Sequence, residues 1–305
     1  MDNLEVFLRQ LPEPAARELA AVSPVLWNRA EELRLRMGYP ALFVSAGKEY
    51  TLSGQTLGKI EKNMLNNMIN RFLNYSDYAH LQELRSGFVT LVGGHRVGFC
   101  GQVVIEGEEI GTIRNITSVN IRFARDIPEA GRRLWPQLLD YRGRFGHTLI
   151  ASPPGCGKTT LLRSLIRLLS DGGYNVSVCD ERNEIAGAGP DGFAFELGKR
   201  TDVMTGCSKE RGMILLLRSM GPQILCTDEI GTEEEIRILQ RGISSGVTLL
   251  TTIHAADLSE LLDGPLKDMV AKRMFFRIVF LTDRPQRGTV AAIWKREETE
   301  ASPWK

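Results

Sequence analysis

The pattern of apolar and polar residues changes character part-way along the 305-residue chain. Up to about residue 125, segments of alternating polarity predict strands, and one segment with helical spacing separates them. In that helix the apolar residues recur every three or four positions: Ile60, Met64, Leu65, Met68, Ile69, Phe72 and Leu73. The first part therefore predicts an α+β domain, which we place at residues 1–125.

Two further segments of this first part carry local signals. Residues 76–87 predict a second short helix, with a serine at its start and a glycine at its end. Residues 88–107 alternate in polarity around Gly93 and Gly94, a pair that favours a tight hairpin turn. The chain that follows, as far as residue 125, is also rich in predicted strand.

The second part alternates strands with helices. Residues 126–146 predict a connecting helix and linker, and from residue 147 short apolar runs alternate with helical periodicity. This alternation is typical of a parallel sheet covered on both faces. The predicted fold class is therefore α/β, with a mostly parallel sheet in residues 147–305 preceded by the α+β domain.

The stretch ASPPGCGKTT, residues 151–160, carries the phosphate-loop pattern G-x-x-x-x-G-K-[ST] between an apolar strand and a helix. Its glycines allow backbone N–H groups to turn inward around phosphate oxygens. Lys158 is expected to reach the β- and γ-phosphates, and Thr159 to hold Mg²⁺. The predicted nucleotide-binding residues are Pro154, Gly155, Cys156, Gly157, Lys158, Thr159 and Thr160.

One position departs from this pattern, because Ser152 stands where the first glycine is expected. Ser152 precedes Pro153, and a residue before proline is held in extended backbone that needs no glycine. Cys156 lies inside the loop, so its thiol is expected to be exposed. The other four cysteines are scattered without C-x-x-C spacing, which argues against disulfides or zinc and favours isolated buried thiols.

Carboxylates follow two of the apolar strands. Asp228 and Glu229 end one strand, where Asp228 is expected to bind Mg²⁺ through water and Glu229 to orient or deprotonate the attacking water. Asp180, Glu181 and Glu184 follow another, and Glu184 is the strongest candidate to help hold Mg²⁺ or its waters. Helix capping and surface charge are the alternative for this second group.

A histidine ends a third strand. His254 follows an apolar run that should lie beside the Glu229 strand, so we expect it to face the γ-phosphate and sense it. A structural histidine is the alternative. Thr251 and Thr252, just before it, are weaker candidates.

Composition and charge exclude some classes of function. The chain is 43% hydrophobic and 25% charged with a formal net charge of +1, so it lacks the basic excess of a nucleic-acid-binding protein. No apolar run reaches the roughly 18 residues that a membrane span needs. No signal peptide is visible at the N-terminus. We therefore expect a cytoplasmic protein.

The order of these motifs resembles that of the secretion-type ATPases of type II and type IV systems, and most closely their sporulation branch in endospore-forming bacteria. The stretches that carry the resemblance are SPPGCGKTTLLR, CDERNEI, ILCTDEIGT, TTIHA, GHRVGFCGQV and GTIRNITSVNIRFARD, so it covers most of the chain. It implies a RecA-like P-loop core and an N-terminal domain that folds over the nucleotide. Ser152 departs from the family pattern, as does Asp228, where many secretion ATPases have glycine.

The resemblance also implies cofactors and partners. ATP and Mg²⁺ would bind at the loop, with Arg114 and Arg122 reaching the γ-phosphate. The chain would assemble with itself, as a homohexamer, and dock through membrane-embedded channel proteins of a sporulation secretion-like complex between mother cell and forespore. Two alternatives stay open: a nucleotide-gated scaffold with little turnover, and a nucleic-acid-dependent RecA-type ATPase, against which the near-neutral charge argues.

Overall fold

The structure is a computed structural model that describes residues 3–73, 87–107, 109–124, 126–189 and 192–296. The chain divides into two compact units, residues 1–125 with 187–194 and residues 126–186 with 195–305. The helix predicted at residues 76–87 lies, except for its last residue, outside the described residues. None of the helices in the described ranges has the length and apolar character needed to span a bilayer.

The first unit is built on a six-stranded antiparallel sheet of order β3-β2-β1-β6-β5-β4. Its strands are β1 Ala30–Arg36, β2 Leu42–Ser45, β3 Lys48–Thr51, β4 Phe88–Thr90, β5 Arg96–Glu106 and β6 Glu109–Arg122. Its helices are α1 Asn3–Arg9, α2 Glu13–Ala20, α3 Pro24–Trp27 and α4 Lys62–Phe72. The pairing of β4 with β5 confirms the hairpin predicted around Gly93 and Gly94.

An apolar core joins the helices and strands of this unit. Helix α4 buries Leu65, Met68, Ile69 and Phe72, as its periodicity predicts. Aromatic rings from four segments meet edge to face in the same core, with ring centroids 4.8 Å apart for Trp27–Phe43 and 5.1 Å for Phe7–Phe123.

The second unit contains a seven-stranded sheet of order β11-β8-β12-β13-β7-β14-β15, parallel except for the β14–β15 pair. Its strands are β7 Thr148–Ala151, β8 Val176–Asp180, β11 Thr201–Thr205, β12 Ile224–Thr227, β13 Thr248–Ile253, β14 Arg277–Thr282 and β15 Thr289–Lys295. Its helices are α5 Trp135–Leu138, α6 Lys158–Asp171, α7 Lys209–Ser219, α8 Glu233–Ser244, α9 Leu258–Asp263 and α10 Lys267–Ala271. The short strands β9 Ala188–Gly189 and β10 Gly192–Phe193, which belong to the first unit, form a separate pair.

The parallel strands β7, β8, β12 and β13 are almost entirely buried, which is why they appear in the sequence as short apolar runs. The edge strand β11 was not predicted. Its sequence, TDVMT, is polar at three of five positions and it is only half-buried, so it lacks the apolar signal of its neighbours.

The predicted connecting segment, residues 126–146, falls entirely within the second unit. Its helix α5 is only four residues long, and the residues before it, 128–131, pack against α6. The Gly131 N–H donates to Ser164 Oγ at 2.8 Å, and a Cβ on Gly131 would lie 2.8 Å from a Leu165 methyl carbon. Trp135 stacks on Phe145. The segment therefore forms part of the cover of α6.

Candidate active site

The phosphate-loop sequence turns sharply between β7 and α6. Gly155 has φ 76° and Gly157 has φ 92°, in the left-handed region that side chains disfavour. Gly157 is also the N-cap of α6, whose first residue is Lys158. The free N–H groups and partial positive charge at the start of this 14-residue helix make the loop suited to an anion.

The loop is supported by the β14–β15 turn. The Gly288 N–H donates to the Cys156 carbonyl at 3.1 Å, and a Cβ on Gly157 would lie 3.4 Å from Gly288 Cα. The sequence did not indicate this support, because it depends on packing between segments about 130 residues apart. Cys156 is only 4% exposed, so the expectation of an exposed thiol is wrong. Its Sγ turns inward and lies 3.8 Å from the Pro154 carbonyl oxygen.

The other cysteines are all free thiols, but they are not all buried. Cys179 and Cys226 are buried within the sheet, as expected. Cys207 is half-buried and Cys100 is exposed, because its side chain lies on an outward-facing part of β5. The expectation of buried thiols is therefore wrong for Cys100.

Ser152 fits its position without a glycine, as predicted, because its backbone lies outside the left-handed region. It also contributes acceptors that the sequence did not indicate. Lys158 Nζ donates to the Ser152 carbonyl at 3.0 Å, to Ser152 Oγ at 3.3 Å and to the Pro153 carbonyl at 3.1 Å. The side chain of Lys158 is thus folded back over the loop.

Lys158 also contacts His254, which links the loop to the neighbouring strands. Lys158 Nζ lies 3.0 Å from His254 Nδ1, and His254 Nε2 lies 2.9 Å from Glu229 Oε1. A neutral imidazole with its proton on Nε2 satisfies both contacts. Burial lowers the pKa of Lys158, while the charge of Glu229 raises it. The pairing of β12 with β13 brings Glu229 and His254 together, as the sequence predicts, and the pairing of β13 with β7 places the loop beside His254.

Glu229 is held in an unusual backbone conformation. Its φ is 41°, which is rare for a residue with a long side chain. The Glu229 N–H donates to Thr252 Oγ1 at 2.8 Å, and Arg182 Nη1 donates to Glu229 Oε2 at 2.9 Å. Sequence reasoning missed Arg182, whose position in an acidic stretch gave no sign of a partner 47 residues away.

Asp228 lies at the end of β12 and is 3% exposed. Burial, followed by the charge of Asp180, raises the pKa of Asp228 to about 7, and the charge of Lys209 opposes this rise. Asp228 and the Thr159 hydroxyl on α6 are suitable donors for Mg²⁺, which commonly binds one or two protein oxygens, waters and substrate phosphates. No cluster of three or more His, Cys, Asp or Glu side chains able to hold a metal occurs in the described ranges.

The acidic residues after β8 have different roles. Asp180 accepts hydrogen bonds from the backbone N–H groups of Glu184, Ile185 and Ala186 at 2.8–3.0 Å. Asp180 therefore stabilises the loop that follows β8. This is a capping role, which the sequence analysis named as the alternative to a role at Mg²⁺. The Glu184 carbonyl accepts from the Arg163 guanidinium, and the Glu184 charge contributes to raising the pKa of Asp228. Glu184 thus stays a candidate, whereas Glu181 is exposed.

The remaining candidates lie at the loop and in the first unit. Thr160 follows Thr159 in the first turn of α6 and is half-buried, and Pro154 is exposed. Arg122 Nε pairs with Glu32 Oε1 at 3.3 Å, and Arg114 lines a cavity of about 250 Å³ in the first unit. A role of either arginine at a nucleotide stays a prediction.

Comparison with known proteins gives the family of the chain. The family described as "Sporulation stage III, protein AA" matches residues 8–300. The Bacillus subtilis (strain 168) protein named Stage III sporulation protein AA is 36% identical over 293 residues, which is 94% of each chain. This chain belongs to the sporulation stage III protein AA family. Half of this chain is also similar to the protein ycf45 of Cyanidium caldarium. The identity is 33% over 158 residues, which is 50% of this chain and 44% of that protein.

Two solved structures share the fold of this stage III AA family member. The Legionella pneumophila ATPase DotB has a TM-score of 0.56 at 17% identity and covers 88% of this chain and 76% of its own. The pilus retraction motor PilT with bound ADP has a TM-score of 0.57 at 17% identity, and the match covers 82% of this chain and 74% of the PilT chain. Together with the sheets described above, they confirm the predicted fold class, and the family match confirms the predicted resemblance.

Proposed function

We propose that this member of the stage III AA family binds ATP with Mg²⁺ and hydrolyses it. The observation that carries the proposal is the contact series from Lys158 through His254 to Glu229. This series connects the lysine of the phosphate loop, which follows β7, with a carboxylate that follows β12. In the sheet, β13 lies between β7 and β12. Nucleotide binding is also in keeping with the names of the proteins that share the fold, an ATPase and a motor with bound ADP.

Each residue has a separate role in this proposal. Lys158 and the backbone N–H groups of the loop hold the phosphates, and charged phosphate oxygens are stronger acceptors than the carbonyls that Lys158 contacts in the structure. Glu229 orients the attacking water and receives its proton. His254 contacts both residues and so senses whether Lys158 is engaged by phosphate. Thr159, and Asp228 through water, would hold Mg²⁺, which would neutralise phosphate charge.

Substitution of Glu229 by Gln tests the chemical role. A glutamine keeps the size and one acceptor but loses basicity, so turnover should fall about 10²–10⁴-fold while ATP affinity is retained. Glu233→Gln is the matched control, because Glu233 is an exposed glutamate on α8 whose ion pair with Arg237 is also exposed. Phosphate release at the wild-type rate by the Glu229→Gln protein would contradict the assignment.

We further propose that this ATPase powers or assembles a secretion-like channel between mother cell and forespore. Membership of a sporulation stage III family and the fold shared with DotB support the proposal. Chains would form a ring and dock on membrane-embedded partners. A turnover rate per chain that rises with protein concentration is expected for a ring, and a constant rate would contradict it. Normal sporulation of cells carrying the Glu229→Gln protein would favour the scaffold alternative.

A further inference from the structure

A buried ion pair lies behind the turn that carries Asp228 and Glu229. Lys209 is the first residue of α7 and Glu235 lies in the first turn of α8, with side chains 8% and 4% exposed. Lys209 Nζ lies 3.3 Å from Glu235 Oε1. Burying two charges is costly unless their remaining donors and acceptors are also satisfied. The other contacts of the pair therefore indicate its purpose.

All of these other contacts go to the backbone of one turn, residues 228–232. Lys209 Nζ donates to the Asp228 carbonyl at 3.1 Å and to the Glu229 carbonyl at 2.6 Å. Glu235 Oε2 accepts from the N–H groups of Gly231 at 2.8 Å and Thr232 at 2.9 Å. The pair thus holds two carbonyls and two amides within five consecutive residues. Apolar side chains in these places would leave the backbone groups without these partners.

The turn needs support because its geometry is strained. Glu229 has a positive φ, and such a conformation persists only where the surrounding structure enforces it. The position of its carboxylate depends on that backbone angle. The Thr252 hydroxyl holds the Glu229 amide from β13, and the Lys209–Glu235 pair holds the turn from α7 and α8.

We propose that Lys209 and Glu235 are positioning residues, which fix the backbone of residues 228–232 so that Glu229 faces its water. The inference rests on the proposed function, since it assigns the pair to the same site. Among the described residues, neither side chain forms a hydrogen bond or ion pair with the phosphate loop.

Lys209→Met tests the proposal, with Lys267→Met as the matched control at an exposed lysine that also begins a helix. A misplacement of a catalytic group by about 1 Å can lower the rate about 100-fold. The turnover of Lys209→Met should therefore fall by about that factor, while its ATP affinity should change less than about threefold. Lys209→Arg keeps the charge and donors and should recover part of the rate. Turnover of Lys209→Met within about threefold of wild type, or a parallel loss of affinity and rate, would overturn the proposal.

Backbone hydrogen exchange gives a readout that does not depend on turnover. The amides of Gly231 and Thr232 should exchange at least about tenfold faster in Glu235→Gln than in wild type, because one acceptor is weakened, and Glu233→Gln should leave them unchanged. Because Glu235→Gln keeps Lys209 and changes only one atom of the side chain, it can be measured even if Lys209→Met does not fold. Unchanged exchange would overturn the positioning role. If wild type shows no turnover, the proposed function fails, whereas the exchange rates still decide whether the pair holds the turn.

Discussion

Two neighbouring threonines on β13 provide the most direct test of how Glu229 is held. Thr251 and Thr252 are each 1% exposed. Thr252 Oγ1 accepts the Glu229 N–H at 2.8 Å. Thr251 Oγ1 is buried without a hydrogen-bond partner among the described residues. Substitution of either threonine by valine preserves the volume and removes a buried hydroxyl, but only Thr252→Val removes a hydrogen bond.

The structure sets the size and sign of each effect. Thr252→Val leaves the Glu229 N–H without its acceptor, and an orphaned buried donor costs about 1–3 kcal/mol. The Glu229 side chain is 28% exposed, so water reaches the region and we expect about 1–2 kcal/mol. Thr251→Val removes a hydroxyl with no partner in the described structure, so its change in unfolding free energy should be near zero or stabilising.

Urea unfolding of the two variants and wild type measures these changes, provided that the denaturant slope stays constant. Turnover should follow the same order, because only Thr252→Val frees the strained backbone of Glu229. Equal destabilisation by the two substitutions would refute the reasoning, since it would mean that the Thr252 hydroxyl is not what holds the Glu229 amide.

Two further predictions concern the loop and the opposite end of the sheet. Gly157→Ala would place a side chain on a residue with φ 92°, and its Cβ would lie 3.4 Å from Gly288 Cα. We therefore expect this substitution to destabilise the protein by roughly 1–2 kcal/mol, as measured by unfolding, and to weaken ATP binding, as measured by nucleotide titration. Burial, helped by Arg296, lowers the pKa of His147, whose Nδ1 accepts the Leu249 N–H. The unfolded chain therefore binds protons at His147 more readily below pH about 6.5. As the pH is lowered from about 7 towards about 5, urea unfolding should show that wild type loses stability relative to His147→Asn, which keeps an acceptor and lacks the titrating imidazole.

The sequence could predict the positions of those candidate residues that follow an apolar strand. Lys158 and Glu229 each follow an apolar strand, and a parallel sheet brings such strand ends together. The sequence analysis also expected the strand before His254 to lie beside the strand before Glu229, and β13 does pair with β12.

The other contacts of the site join segments that are distant in the sequence, so no local pattern predicts them. Arg182 pairs with Glu229 across 47 residues, and Gly288 supports the loop from the far end of the chain. The ion pair of Lys209 and Glu235 looks in the sequence like ordinary helix-terminal charge. Its burial follows only from the packing of α7 and α8 against the turn. The same limit explains why Cys156 was expected to be exposed.

Equilibrium titration with a fluorescent ATP analogue in the presence of Mg²⁺ tests the central claim, which is that the loop around Lys158 binds a triphosphate. We expect saturable binding by wild type and at least about tenfold weaker binding by Lys158→Ala, which removes charge-assisted hydrogen bonds to phosphate. Lys267→Ala should bind as wild type does. Folded wild-type protein that binds no ATP with Mg²⁺, or a Lys158→Ala protein that binds it equally well, would contradict the account.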